Sequence, residues 1–310
     1  MKENQLALHL KYRPDIFDDF FGNENILESL KSILGREQGM PHSFLFTGPS
    51  GCGKTTLARI MKNNLECSDN DFYEYNVANV RGIDTIRDII ANCVYSPFGG
   101  KYRIYLLDEA HKLTNDAQNA LLKLLEDTPP HVYFILCSTD PEKLLKTIKT
   151  RCTTFQVGFL PKPKMISFLK NICEKEKVNL PQEAFKKIAE ICGGSPRQAL
   201  VMLDQIIDIE DDEKLLAAID SIVIGEAKLI DLCRALVEGK SWKIVSSLIK
   251  NLDEEPEQIR YGILGYLNQV ILNNGNDRIA DLIALFLDSF MYSGKAGLSL
   301  ACYSACPKKN

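Results

Sequence analysis

Between positions 43 and 137 the chain alternates short apolar runs with stretches whose apolar residues recur three and four positions apart. The runs at 43–46, 72–77, 103–107 and 132–137 are rich in Phe, Tyr, Ile and Val and predict strands. The stretches at 55–65, 83–93 and 115–127 predict helices by their spacing. Regular alternation of this kind predicts a parallel sheet covered by helices on both faces. The last helix is well punctuated: Thr114 suits the N-cap, Asp116 suits the positive end of the dipole, and Pro129-Pro130 prevents continuation.

Beyond about residue 160 the strand pattern stops, with Pro161 and Pro163 marking a linker, and the remainder of the chain is helical in period. Gly193-Gly194 closes one helix, and Ser195-Pro196 opens the next as N-cap and first helical residue. A second change falls near Gly225, after the apolar run 219–224. From there helices are separated at Gly239, 253–256, 273–275 and Gly294. The expected organisation is an α/β domain at 1–160, a small helical domain at 161–224 and a second helical domain at 225–310.

Composition narrows the class. With 37 basic and 41 acidic side chains in 310 residues the net charge is −4, too mild to advertise nucleic acid, though a local basic face fits within it. The ten cysteines are scattered without a C-x-x-C pair, which predicts reduced thiols used as small hydrophobes. Cys302 and Cys306 are the one pair close enough to test for metal or a disulfide. The start, Met1-Lys2-Glu3-Asn4-Gln5, is polar, and the greasiest segment, 282–291, is interrupted by Asp288 and too short for a membrane span. An intracellular soluble protein is expected.

The chemistry begins at Gly48-Pro49-Ser50-Gly51-Cys52-Gly53-Lys54-Thr55-Thr56, which comes after a predicted strand and opens a predicted helix. Glycines in that context let backbone N–H groups turn inward around phosphates, and the helix N-terminus adds positive potential. Lys54 would reach the β and γ phosphates, and the Thr55 hydroxyl would ligate Mg2+. The predicted strand 103–107 runs into Asp108 and Glu109. Alone, such a pair is a common solvated loop start. Beside a phosphate loop, Asp108 would hold the magnesium shell and Glu109 would polarise the attacking water. Ser138-Thr139-Asp140 ends another strand, either as a simple turn or as a hydroxyl placed to sense the γ phosphate.

Several segments carry a family resemblance: LHLKYRPDIFDDFFGNENI, GPSGCGKTT, VRGIDTIRDII, YLLDEAHKLTNDAQNALLKLLEDTP, FILCSTDPEKL, TRC and GGSPRQAL, in that order over residues 8–205. Together they resemble the clamp-loader branch of the AAA+ ATPases, most closely the bacterial DnaX (gamma/tau) subunits and more distantly the small subunits of replication factor C. The resemblance implies an AAA+ P-loop core, a helical lid and an all-helical collar. It also implies ATP-driven opening and loading of a sliding clamp onto primer–template DNA, in a homo- or hetero-pentamer with other loader subunits, in the cytoplasm (nuclear if eukaryotic).

The same resemblance assigns residues. Tyr12, Arg13 and Phe21-Gly22 line the adenine pocket, Thr139 is the first sensor and Arg197 the second. A cation in the first turn of its own helix is unfavourable, which favours a functional reading of Arg197. Arg151, in Thr150-Arg151-Cys152, matches the family's serine-arginine-cysteine motif and would act in trans on a neighbour's γ phosphate. An isolated subunit should therefore bind ATP and hydrolyse it poorly. Arg81, Arg87 and Lys112 fall on motifs that track duplex phosphates. The loop Tyr95-Ser96-Pro97-Phe98 reads either as a clamp contact or as internal packing. The family's gamma/tau members carry a four-cysteine zinc module after the phosphate-loop helix. Here only Cys67 lies in that region, so ATP and Mg2+ are expected without zinc. Two alternatives stay open: a non-catalytic loader scaffold, and another AAA+ DNA-remodelling ATPase such as a branch-migration helicase.

Overall fold

The computed structural model describes residues 6–36, 38–79, 82–252, 255–274, 277–290 and 292–307, with side chains also left aside at 220–227, 258, 273 and 274. Expectations at Met1 to Gln5, Arg81, Asp253 and Gly275 lie outside the described residues. Contacts divide the chain into two compact units, Met1–Asp212 and Glu213–Asn310.

The first unit is built on five parallel strands, β1 Ser43–Thr47, β2 Phe72–Asn76, β3 Arg103–Asp108, β4 Val132–Ser138 and β5 Thr153–Gln156, in the order β2-β3-β4-β1-β5. The first four match the apolar runs to within a residue. The fifth was not expected: its four residues alternate half-buried and exposed, a pattern too short and too polar to stand out. It pairs with β1 from Phe44↔Thr153 to Thr47↔Gln156, closing the edge that β1 would otherwise expose. The inner strands β1 and β4 are buried at every position, as expected of a sheet covered on both faces.

The chain also forms α1 Leu8–Lys11, α2 Glu24–Leu34, α3 Lys54–Asn64, α4 Ile83–Asn92, α5 Asn115–Glu126 and α6 Lys146–Arg151, of which α2 to α6 pack on this sheet. One face packs Phe44, Phe46, Ile104, Leu106 and Ile135 against α2 and α3 through Leu30, Leu57, Ile60 and Met61. The other packs Leu45, Tyr105, Leu107, Phe134 and Leu136 against α4 and α5 through Ile86, Ile89, Leu121 and Leu125. Each such fully buried side chain contributes about 1.5–3 kcal/mol, so the two faces together supply most of the unit's apolar stabilisation. Thr114 caps α5 as expected, accepting from the Ala117 N–H at 3.3 Å. Neither α1 nor α2 was anticipated; α2 begins after Asn23, which is in the left-handed conformation at φ 54°.

The unit ends in three helices, α7 Lys162–Glu176, α8 Gln182–Ile191 and α9 Pro196–Ile206, with the expected break at Gly193 and Gly194, both at positive φ. Ser195 caps α9 by accepting from the Gln198 N–H at 3.3 Å.

The second unit is all helical: α10 Asp212–Val237, α11 Trp242–Lys250, α12 Pro256–Asn274, α13 Asp277–Leu285 and α14 Gly294–Ala305. α10 runs through Gly225 without a break, and the contacts divide twelve residues before that glycine, a shift from 224/225 to 212/213. Leu232, Leu236, Ile263, Leu267, Phe286, Leu298 and Cys302 form its core. Arg260 is buried there, with Glu257 as ion-pair partner and the Phe286 and Leu287 carbonyls accepting at 3.0 and 3.3 Å. All ten cysteines are free and buried, including Cys302 and Cys306. Burial pushes the Cys67 and Cys173 thiols up to about 11, which keeps them protonated and unreactive.

Candidate nucleotide site

β1 delivers the chain into the phosphate loop at the carboxyl edge of the sheet, where parallel α/β folds collect ligands. The Gly48 N–H donates to the Ser138 carbonyl at 3.2 Å and ties the loop to β4. Gly48, Gly51 and Gly53 take φ values of 141°, 75° and 106°. A Cβ at these positions would lie 2.1 Å from the Val157 carbonyl oxygen, 2.4 Å from Ser195 Oγ and 2.7 Å from the Phe20 ring. Any side chain would thus disrupt the loop itself or its seating against the N-terminal segment and α9.

Lys54 opens α3, and its buried ammonium donates to the carbonyls of Gly48 and Pro49 at 2.8 and 2.7 Å. The loop therefore wraps a cation held at its centre. Next to it, Thr55 Oγ1 donates to Asp108 Oδ2 at 2.9 Å, while Asp108 Oδ1 accepts the Glu109 N–H at 2.9 Å. A hydroxyl and a carboxylate in contact form a hard-oxygen donor set suited to Mg2+. Glu109 sits in the left-handed conformation at φ 56°, which turns its carboxylate away from Asp108 toward His111 Nε2 (3.5 Å) and Lys112 Nζ (3.6 Å). Burial lowers the His111 pKa below 6.5 against the opposing pull of Glu109, so the imidazole is neutral at pH 7.

These groups form one end of a cleft of about 270 Å³. Its other walls come from the N-terminal segment (His9, Tyr12, Arg13, Phe20, Phe21) and from Phe168 of α7 with Arg197 and Leu200 of α9. Phe21 meets Phe168 edge-on at 5.2 Å. Arg13 Nε donates to Thr56 Oγ1 at 3.2 Å, and burial, aided by the charge of Arg59, lowers its pKa. Gly22 lies behind this wall: at φ 76° its Cα approaches Leu160, where a Cβ would be 2.3 Å from Cδ2. Asn23 then clips the segment to Gly158 by a reciprocal pair, donating to its carbonyl at 3.2 Å and accepting its N–H at 2.9 Å.

The cleft thus gathers Tyr12, Arg13, Phe21, Ser50, Gly51, Cys52, Gly53, Lys54, Thr55, Thr56, Asp108, Glu109 and Arg197. Thr139 does not line it. Its neighbour Ser138, the buried last residue of β4, instead lies 3.4 Å from His111 Nδ1 through its hydroxyl. Arg151 also stands apart, at the C-terminus of α6, paired with Glu126 and donating to the Thr147 carbonyl at 2.9 Å. Arg87 is exposed and paired with Asp84 at 3.0 Å, and Lys112 pairs with Glu109. The loop at 95–98 leaves Tyr95 and Phe98 64% and 86% exposed, so its aromatics do not pack internally.

Several organising residues carry no motif that sequence reasoning could single out. Gln118 is buried in α5; its amide nitrogen donates to the Leu113 and Lys143 carbonyls at 3.2 Å each, and its Oε1 accepts the Leu145 N–H at 2.9 Å. It joins the start of α5 to the segment leading into α6 and Arg151. Asp71 and Arg103 form a buried pair at 3.6 Å beneath the aromatic loop. Asp71 accepts the Phe98 and Gly99 N–H groups at 2.7 and 2.9 Å, and Arg103 donates to the Asn92 and Ser96 carbonyls at 2.6 and 3.1 Å. Burial opposes ionisation of Asp71, but the Gly99 N–H, the Ser68 hydroxyl and its other donors hold the carboxyl below its ordinary range.

Two family models match within the first unit. Residues 22–160 match the family described as DNA polymerase III, delta subunit, and residues 167–206 match the RCF1/5-like AAA+ ATPase lid domain. The chain is 34% identical over 225 residues to DNA polymerase III subunit gamma/tau of Mycobacterium bovis, covering 65% of this chain and 39% of the relative. It is 30% identical over 316 residues to the tau subunit of Bacillus subtilis (94% and 53%) and 34% identical over 229 residues to the gamma subunit of Buchnera aphidicola (66% and 62%). The chain thus spans about half the length of these relatives. Among solved structures, the Thermotoga maritima RuvB branch-migration motor aligns with a TM-score of 0.58 at 18% identity, over 76% of this chain and 84% of that one, a likeness of fold alone.

Proposed function

The core and lid of this chain are those of an AAA+ ATPase related to the bacterial DNA polymerase III gamma/tau subunits, and from that premise we propose that it is an ATP-hydrolysing subunit of a sliding-clamp loader. The observation that carries the reading is a division of labour within the first unit. Lys54, Thr55, Asp108, Glu109 and Arg197 line one cleft, while Arg151 is absent from its lining and pairs with Glu126.

ATP enters with its base against Tyr12, Phe21 and Phe168. Lys54 exchanges the Gly48 and Pro49 carbonyls for the β and γ phosphates, and the loop N–H groups surround them. Thr55 and Asp108 would hold Mg2+, which supplies charge neutralisation on the phosphate oxygens. Glu109 orients the attacking water once it leaves His111 and Lys112. Arg197 brings the start of α9 onto the nucleotide, so occupancy of the cleft is felt by the lid. Arg151 of a neighbouring subunit neutralises charge developing on the γ phosphate.

In this reading the second unit is the collar of a homo- or hetero-pentamer, preceded by a core at 1–160 and a lid from 161, with the collar starting where the contacts divide, at 213 rather than 225. The exposed Tyr95 and Phe98, on a loop held from beneath by Asp71 and Arg103, contact the clamp. Arg81, Arg87 and Lys112 track primer–template phosphates, Thr139 senses the γ phosphate, and the machine works in the cytoplasm. A scaffold role fits poorly, because Lys54, Thr55, Asp108 and Glu109 are all present and line one cleft. The test is the ATPase rate of the purified protein with its partner subunits, with and without a sliding clamp and primed DNA. Stimulation by both is expected; no stimulation by either removes the reading.

A further inference from the structure

His9 carries a signal that the phosphate chemistry does not use. It lies in α1, one turn before Tyr12, on an element tied to α9 by the Leu8 N–H donating to Asp204 Oδ1 at 3.4 Å. His9 is one of the residues that line the nucleotide cleft, as are Phe20, Phe21 and Phe168. Its Nδ1 is buried and meets no hydrogen-bond partner. Nε2 is not buried in that way and bonds no protein group among the described residues.

The two nitrogens are therefore not equivalent. A neutral imidazole carries its proton on one of them. A buried N–H without a partner is rarer and costlier in proteins than an under-satisfied acceptor. The proton thus belongs on Nε2, and the lone pair on the enclosed Nδ1. That tautomer leaves an N–H donor on the ring nitrogen that is not enclosed, on a residue that lines the cleft together with Phe20, Phe21 and Phe168. The unsubstituted ring nitrogens of adenine are acceptors, and the site supplies this donor without rearranging any hydrogen bond of its own.

We propose that His9 Nε2–H donates to a ring nitrogen of the bound adenine and is a base-selectivity determinant of this cleft. The inference rests on the reading that the cleft takes ATP. It is tested by equilibrium binding of ATP, 1-deaza-ATP, 3-deaza-ATP and 7-deaza-ATP to the full chain and to its His9→Phe and His9→Gln variants. One neutral hydrogen bond corresponds to about a 3- to 10-fold change in affinity. His9→Phe should weaken ATP by that factor, and His9→Gln, which keeps an amide N–H near the Nε2 position, should stay within about twofold of the wild type. One deaza analogue should bind the wild type as weakly as ATP binds His9→Phe, and should bind His9→Phe no worse than ATP does. Analogue-to-ATP ratios unchanged between the wild type and His9→Phe would overturn the proposal for His9 while leaving the ATP site intact. A wild-type chain that binds no ATP would overturn the nucleotide reading as well.

Discussion

The cleft and the Arg151 corner belong to one unit, yet they hold their cations in opposite ways. Lys54 is buried, and its ammonium is satisfied by two carbonyls of the loop that would also carry the phosphates. Arg151 is partly exposed, with Glu126 half-exposed beside it and one backbone carbonyl as its other acceptor. A solvent-facing pair of this kind is worth about 0–1 kcal/mol, so little opposes its transfer to a ligand on another molecule. In the proposed reading the difference separates binding from hydrolysis: the chain binds nucleotide with its own groups and completes a neighbour's reaction with Arg151.

The sharpest way to break that comparison is Arg151→Ala. It should lower ATP turnover by the assembled complex about a thousandfold, while ATP affinity of the isolated chain, read by titration, stays within about twofold of the wild type. Equal loss of binding and turnover would mean that Arg151 serves its own cleft. Lys54→Ala should do the reverse, weakening ATP binding by the isolated chain about a hundredfold through loss of a charge-assisted contact to phosphate; calorimetric titration checks this.

Two further changes probe the scaffold that joins the regions. Gln118→Ala leaves buried carbonyls and an N–H unpaired and should destabilise the first unit by about 2–3 kcal/mol in denaturant unfolding. It should also lower turnover more than ATP affinity, since the amide reaches the segment that carries Arg151. Ser195→Ala removes the α9 cap and should cost about 1 kcal/mol, with a thermal shift as its readout. The smallest effect concerns pH. His111 has a folded pKa below 6.5, so its neutral form is the one folding favours. Stability linked to it is fully present above pH 6.5 and is lost as pH falls through the folded value. His111→Asn should flatten that acid limb in unfolding curves taken between pH 7 and 5.

Much of this was legible in the order of residues. The four apolar strands, the helices between them and the Ser195-Pro196 start announced themselves through periodicity and caps, because both faces of the sheet demand apolar residues. The phosphate loop and the Asp108-Glu109 strand end were legible because their chemistry tolerates few alternatives. β5 was not, since an edge strand needs apolar residues on only one side and this one has four positions in all. Gln118 and the Asp71–Arg103 pair were equally hidden: their importance comes from burial among backbone groups distant in sequence, which no local pattern reports. Thr139 is a case where position and packing differ. A motif fixed its position beside the sheet edge, but the side chain that faces inward there is Ser138.

The lysine at the centre of the phosphate loop has one more consequence. An enzyme that cycles must also let go, and a bare ammonium left in a desolvated pocket would cling to spent nucleotide. In the proposed cycle the Gly48 and Pro49 carbonyls, which hold Lys54 Nζ in this structure, would take the place of the departing phosphates, so the positive charge is not stranded. On that reading the two carbonyls serve as a built-in surrogate for the phosphate oxygens, which would ease emptying of the site between rounds.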